Sequence, residues 1–377
     1  MKKVYWRPQG MPLYAFILVA LFSVGGLAAV EHFKIDARKP YYREKLAASK
    51  LALTAMEIVK EERLQRGLPI DQEVDPAASG LIGSFVTPVT SDAGDLDAKQ
   101  TSINPNFAAV IVDLLKKAKV KEGDPVAVSL SGSFPALNIC VYSALTTLHL
   151  KPTIIDSVGA SQWGANDPSF LWIDMEHLLY KKGVFPFRSS AATMGGKYDK
   201  AREMTGKGRE LIAEAIKRND LTMIRVPTVR DNIDERMRIY YSETTPKVYI
   251  NVGGGMISAG IRPFKRILKP GLLLAELPAE GKADSVINRF LKEDIPVIHI
   301  ENVKLLAKQY GLPMSPATLP QPGEGEIYYQ QRYNPWLAGG VLLGILLGLY
   351  VFGRVDWGFR MLRASSKPEV GPPEPMV

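Results

Sequence analysis

Two uncharged apolar runs frame the chain. Residues 11–30 read MPLYAFILVALFSVGGLAAV, and twenty residues at a helical rise cross a hydrocarbon core of about 30 Å. Residues 336–352, WLAGGVLLGILLGLYVF, form a second such run, shorter but adequate, with Trp336 and Tyr350 near its ends where interface aromatics belong. Basic residues lie outside both runs, at Lys2, Lys3 and Arg7 and again at Arg354, Arg360, Arg363 and Lys367. The positive-inside rule therefore predicts a two-pass protein of the cell membrane, with both termini cytoplasmic and the main domain extracytoplasmic. A cleaved signal peptide is the rival reading of the first run, because its start is basic and residues 26–29 are small. The length of the run and the presence of a second span favour an uncleaved anchor. In the second run Gly340, Gly344 and Gly348 recur every four positions, a spacing that lets another helix approach closely.

Between the runs the pattern changes period. Residues 40–66 carry Leu51, Ala55, Met56, Ile58 and Val59 as one helical stripe closed by Gly67, which predicts a juxtamembrane helix within 31–67. Residues 68–106 are rich in turn formers and read as a long polar loop. From residue 107 onward, helical and strand-like segments alternate. Helices are predicted over 107–119, 135–148 and 201–217, one starting at Pro168 with Asp167 as its cap, one capped by Asp231, one capped by Asp284 and running to Lys292, and one capped by Asn302 and ended by Gly311. Strands are predicted at 125–130, 153–155, 187–193, 247–251, 272–276 and 296–300. This alternation predicts an α/β fold, a mostly parallel helix-covered sheet over 68–330. It is flanked by transmembrane helices at 11–30 and 336–352, with cytoplasmic ends at 1–10 and 353–377, the tail partly disordered.

Composition sharpens this picture modestly. Of the formal net charge of +8, the first ten residues hold +3 and the segment after Pro335 holds +1, which leaves +4 for the large middle domain. So weak a field does not suggest nucleic acid. Cys140 is the single cysteine, so no intrachain disulfide can form. No Cys/His cluster has metal-ligand spacing. Cofactor signatures are also missing: Gly253–Gly255 does not match a dinucleotide fingerprint and no P-loop occurs.

The stretch PVAVSLSGSFPALNICVYSAL, beginning at Pro125, holds the candidate chemistry. A β-branched strand runs through a small polar turn into an apolar helix, and the functional crevice of such sheets lies beyond the carboxyl ends of the strands. Ser131, Gly132, Ser133, Asp156, Ser161, Asn251, Gly253 and Gly254 all fall at or just past strand ends. Hydroxyls and flexible backbone of this kind hold carboxylate or phosphate oxygens through N–H groups, with Lys99 and Arg188 as nearby cations. A hydrolytic alternative uses Ser131 or Ser133 as nucleophile. Its base would be His299, the one histidine at the carboxyl end of a predicted strand, with Glu301 two residues on. Trp163 is read either as a ligand-stacking ring or as cover for the domain, and Asp156 either as a crevice acid or as a turn residue.

The runs TPVTSDAGDLDAKQTSINPNFAA, SLSGSFPALN, SQWGANDPS and NVGGG, framed by two spans, resemble the bacterial poly-gamma-glutamate system protein family. The resemblance implies a membrane component that works beside synthase and export membrane proteins in the lipid bilayer, with poly-gamma-glutamate as polymer partner. The amide ligase of such systems requires ATP, so a chain without a phosphate-binding loop does not look like the polymerising subunit. The resemblance supplies no catalytic residue. It leaves three readings open: an outer domain that binds or guides the polymer, a serine-dependent amidase or transpeptidase that trims or releases it, and a scaffold that holds synthase subunits together.

Overall fold

The computed structural model describes residues 13–261, 268–274 and 284–354. The basic N-terminal residues, the far end of the strand expected at 272–276 and the tail beyond Arg354 lie outside them. The strands are β1 (Ile35–Arg38), β2 (Pro125–Ser131), β3 (Lys151–Ser157), β4 (Asn166–Asp167), β5 (Phe170–Leu171), β6 (Ala191–Thr193), β7 (Thr222–Met223), β8 (Val248–Val252), β9 (Gly271–Leu273), β10 (Val297–Ile300) and β11 (Tyr329–Arg332). The helices are α1 (Leu13–His32), α2 (Tyr42–Gln65), α3 (Leu96–Ser102), α4 (Phe107–Lys117), α5 (Pro135–Thr147), α6 (Trp172–Lys181), α7 (Gly206–Arg218), α8 (Val229–Tyr240), α9 (Met256–Ala259), α10 (Val286–Lys292), α11 (Val303–Gln309) and α12 (Pro335–Arg354). Two compact units result, one spanning residues 38–328 and one formed by the two ends of the chain.

In the larger unit, seven strands pair in the order β7-β6-β3-β2-β8-β10-β9, all parallel except β9, which runs antiparallel to β10. The chain first builds outward from β2 through β3, β6 and β7. It then crosses to the other side of β2 for β8 and β10, which makes the β2–β8 boundary a topological switch point. Because successive side chains point to opposite faces, the strands divide their residues between two cores. Val126, Val128, Leu130, Ile154 and Ile250 face the larger one, filled by α2, α4, α5, α6 and α7. Ala127, Ile155, Tyr249 and Val297 face the smaller one, under α8, α9 and α10. Helix α5 is buried from Pro135 through Leu145, its polar Asn138 and Ser143 included, as a helix sandwiched between two layers must be. Small side chains on α2, Ala48, Ala52 and Ala55, are fully buried with it. Helix α2 thus packs as part of this unit.

Local capping explains where boundaries depart from expectation. Asp167 does not cap a helix at Pro168; residues 166–171 form the short antiparallel pair β4–β5. Helix α6 begins only at Trp172, where Asp174 accepts a bond from the Leu171 N–H at 2.8 Å. Thr228, not Asp231, is the cap of α8, with Asp231 returning the bond as the third residue of a capping box. Ser285 takes the place expected of Asp284 at α10. Asn302 caps α11 as read, and Gly67 and Gly311 end α2 and α11 with left-handed φ of 72° and 63°. Within the polar stretch before residue 106, α3 was not anticipated; Asp95 caps it by accepting from the Ala98 N–H.

The second unit pairs β1 with β11 and packs α1 against α12. Both helices are long and apolar enough to cross a membrane. A Cβ on Gly344 would lie 2.8 Å from the Phe22 ring, and one on Gly26 would lie 2.4 Å from Val341. Gly348 faces Val19 at 3.7 Å, whereas Gly340 faces open space. Two of the three spaced glycines thus serve the contact with α1 of the same chain.

The sheet face toward α5 and α6 encloses two carboxyl groups. Asp156 and Glu176 are both fully buried, and the Ser189 hydroxyl lies 2.8 Å from one and 2.7 Å from the other. A hydroxyl has one proton to give. Glu176 also accepts from the Ser189 N–H and from Tyr142, so the arrangement closes if Asp156 is protonated and donates to Ser189. Burial, reinforced by the neighbouring Glu176 charge, pushes Asp156 well above its ordinary value of 3.8. The folded state therefore holds a proton that the unfolded chain releases near pH 4. Its stabilising effect is complete below that pH and is lost as pH rises through the folded-state value. Asp156→Asn mimics the protonated form. The variant's melting temperature relative to wild type is expected to climb from pH 5 to pH 8; a pH-independent difference would contradict this account.

Candidate functional site

A cavity of about 1020 Å³ opens at the switch point, over the carboxyl ends of β2, β3, β8 and β10. Glycines bring its walls together. The Gly132 N–H donates to Ser157 O, and a Cβ at Gly132 would sit 2.5 Å from Val158 O. Gly164 lies against Ser133, where a Cβ would approach its Cα to 2.9 Å. Gly253 has φ of 91° and rests beside the Ser131 side chain. The turns after β2, β3 and β8 can approach this closely only without side chains at these points.

The cavity floor is organised by a residue that the sequence pattern did not single out. Arg236 projects from α8 and is 1% exposed. Its guanidinium donates to Ser129 Oγ (3.0 Å), Ser157 Oγ (3.2 Å) and Thr193 Oγ1 (3.2 Å), one hydroxyl from each of β2, β3 and β6. It also donates to Asn232 Oδ1 and, at 2.7 Å, to Asp199 Oδ2. Burial disfavours the charge on Arg236, but the Asp199 carboxylate outweighs it, and the guanidinium is held more firmly protonated than usual. Asp199 stands in a short 3₁₀ turn (Lys197–Asp199) with left-handed φ of 60°.

Lys99 forms part of the opposite wall. It is 3% exposed. Its ammonium bonds the Ser133 carbonyl and Ser161 Oγ, the latter at 2.8 Å, and lies 4.0 Å from the centre of the Phe134 ring. No carboxylate among the described residues forms an ion pair with it; Asp95, on the preceding turn, pairs with Lys304 at 2.6 Å. Burial brings the Lys99 pKa down to about 7, opposed only in part by Asp95. Ser161 is fixed from the same side, its N–H donating to Ser133 Oγ at 3.0 Å.

The structure thus brings Ser131, Ser133, Ser161, Asn251, Gly253, Gly254 and Lys99 to one cavity, with Gly132 directly behind it. Asp156 is corrected: it sits at the expected strand end but on the opposite face, and Ser157 takes the crevice side. Arg188 also lies elsewhere, bonded to Asn219 O. Trp163 packs on Phe85 with ring centres 5.3 Å apart and does not line the cavity. His299 is 1% exposed. Asn251 Nδ2 donates to its Nδ1 at 3.0 Å, which leaves the proton on Nε2 to face Glu301 Oε2 at 3.1 Å. Both ring nitrogens are engaged, and Ser131 Oγ accepts from the Ser133 N–H. The Ser131–His299 couple expected for hydrolysis is therefore not formed.

No family model, no curated protein and no solved structure matches this chain.

Removing Arg236 should test the floor. Arg236→Met strands the Asp199 carboxylate and is expected to cost about 3–5 kcal/mol in denaturant unfolding, the range for breaking a buried pair. Adding Asp199→Asn should restore part of that loss. If the double variant is no more stable than the single one, Asp199 is not the partner that matters.

Proposed function

We propose that the protein is a two-pass membrane component of a poly-gamma-glutamate synthesis and export system, and that the crevice of its α/β unit binds or guides the anionic polymer. In this reading both termini are cytoplasmic and the unit between the spans faces outward. The observation that carries it is the open cavity at the switch point, which combines N–H and hydroxyl donors with Lys99, Lys197, Lys304 and Arg236; its lining also holds Asp92, Asp95, Asp199, Glu203 and Glu301, of which Asp95 and Asp199 are paired with Lys304 and Arg236. Hydroxyls of Ser131 and Ser133 line it, and the N–H groups of Gly254 and Gly255 donate to no backbone acceptor among the described residues. Lys197, exposed at the rim, forms no ion pair with a carboxylate among the described residues. A chain bearing one carboxylate per residue offers such a wall repeated acceptors, and the modest positive balance of the middle domain agrees with a polyanion. The runs shared in resemblance with the poly-gamma-glutamate system family include the turns that build this cavity.

The test uses the full chain in lipid nanodiscs and fluorescein-labelled poly-gamma-glutamate, followed by anisotropy. Binding is expected at low salt and weaker at moderate salt. Lys197→Glu should reduce affinity about fivefold, corresponding to about 1 kcal/mol. Absence of binding at both salt concentrations would sink the reading.

A further inference from the structure

Two buried lysines in this protein are treated differently. Lys45 is fully buried on α2 and meets Asp113 at 2.7 Å, as a structural lysine requires. Lys99 is nearly as buried, yet its ammonium faces a carbonyl, a hydroxyl and an aromatic ring at the edge of an open cavity. An amine without a counter-ion, fixed by two neutral partners, is suited to lose its proton and take another. The hydroxyl within its reach is Ser161 Oγ. Ser131 Oγ and Ser133 Oγ accept from backbone N–H groups instead and have no hydrogen bond to a basic side chain among the described residues.

We propose that Lys99 and Ser161 form a serine–lysine couple that cleaves amide bonds by acyl transfer. Ser161 Oγ attacks the carbonyl carbon while its proton passes to neutral Lys99 Nζ. The C–N bond then breaks, and Lys99 gives that proton to the departing nitrogen. Water next adds to the acyl-Ser161 ester and yields a proton to Lys99. The Ser161 oxygen leaves and recovers the proton, so that amide and water become acid and amine. An incoming amine in place of water gives transpeptidation. Lys99 keeps one N–H on the Ser133 carbonyl throughout, which aims its lone pair at Ser161. The couple itself stands on the geometry. Its substrate, the γ-amide of poly-gamma-glutamate, rests on the crevice reading above.

The experiment treats the full chain in detergent with a fluorophosphonate probe, in which the serine oxygen displaces fluoride from phosphorus, and maps the adduct by mass spectrometry. The adduct is expected on Ser161, with a labelling rate that rises through a midpoint near pH 7. Lys99→Met and Lys99→Arg should each slow labelling about 100-fold or more. Lys99→Arg is larger and keeps its charge in a buried site, so melting temperatures are measured alongside, and slowed labelling at an unchanged melting temperature marks a lost base rather than a lost fold. Ser161→Cys offers a second readout: iodoacetamide should modify it faster with Lys99 than with Met at that position, while the buried native Cys140 stays silent. In parallel, poly-gamma-glutamate length is followed by size exclusion. Adduct on Ser161 with shortened polymer supports the couple and its substrate. Adduct on Ser161 with intact polymer supports the couple and removes that substrate. Polymer binding without any adduct overturns the couple and leaves the crevice reading standing, and an adduct confined to Ser131 or Ser133 also overturns it.

Discussion

The crevice depends on one buried cation. Arg236 reaches from α8 under the ends of β2, β3 and β6 and bonds a hydroxyl from each, with Asp199 as its counter-charge. A guanidinium out of water must have its donors and its charge satisfied together. Three parallel strands, a helix and a strained turn therefore have to arrive in register around it. That requirement fixes the depth of the floor, and it leaves the wall with Lys99 and Ser161 free of the main charge pair. The polar residues of the two regions do different work: the floor is saturated with partners, whereas the wall holds an amine whose hydrogen-bond partners among the described residues are neutral.

The same sheet keeps its other acid from the crevice by pleat alone. Asp156 and Ser157 are consecutive, yet one is sealed with Glu176, Ser189 and Trp172 and the other lines the cavity. Strand periodicity made the strand end legible and left the face undetermined, because a shift of one residue reverses every side chain. The position of the site was readable for a sturdier reason: a strand, a turn of small residues and a helix can be joined in few ways, and Ser131, Ser133 and Gly253 occur at such joints, with Ser161 in the loop just past β3. Lys99 is a cation beside the crevice, as its sequence position implies, but its burial comes from α3, whose short span hides among turn formers.

Arg236 escaped sequence reading because its helix, VRDNIDERMRIY, looks like a solvated face laced with charge. Only the fold shows that one of its three arginines turns inward, toward hydroxyls supplied from far along the chain. Asp199 likewise occupies an irregular turn that no periodicity marks. His299 shows the reverse failure. Its place at a strand end was correctly anticipated, but local bonds from Asn251 and Glu301 occupy it. Position along a strand says which layer a side chain can reach; it does not say whether a neighbour reaches it first.

The unit made from the two ends of the chain has a consequence in time. Helix α1 is synthesised before the whole α/β unit and its contact partner, α12, after it. The hollow at Gly26 that receives Val341 stays unfilled while the ribosome makes everything in between. Domains generally fold as units during synthesis, N-terminal parts first, and closing so long a loop is slow before its interior is compact. The helix pair and the β1–β11 ladder are thus the last parts to assemble, and a ribosome that stops early leaves α1 without its mate.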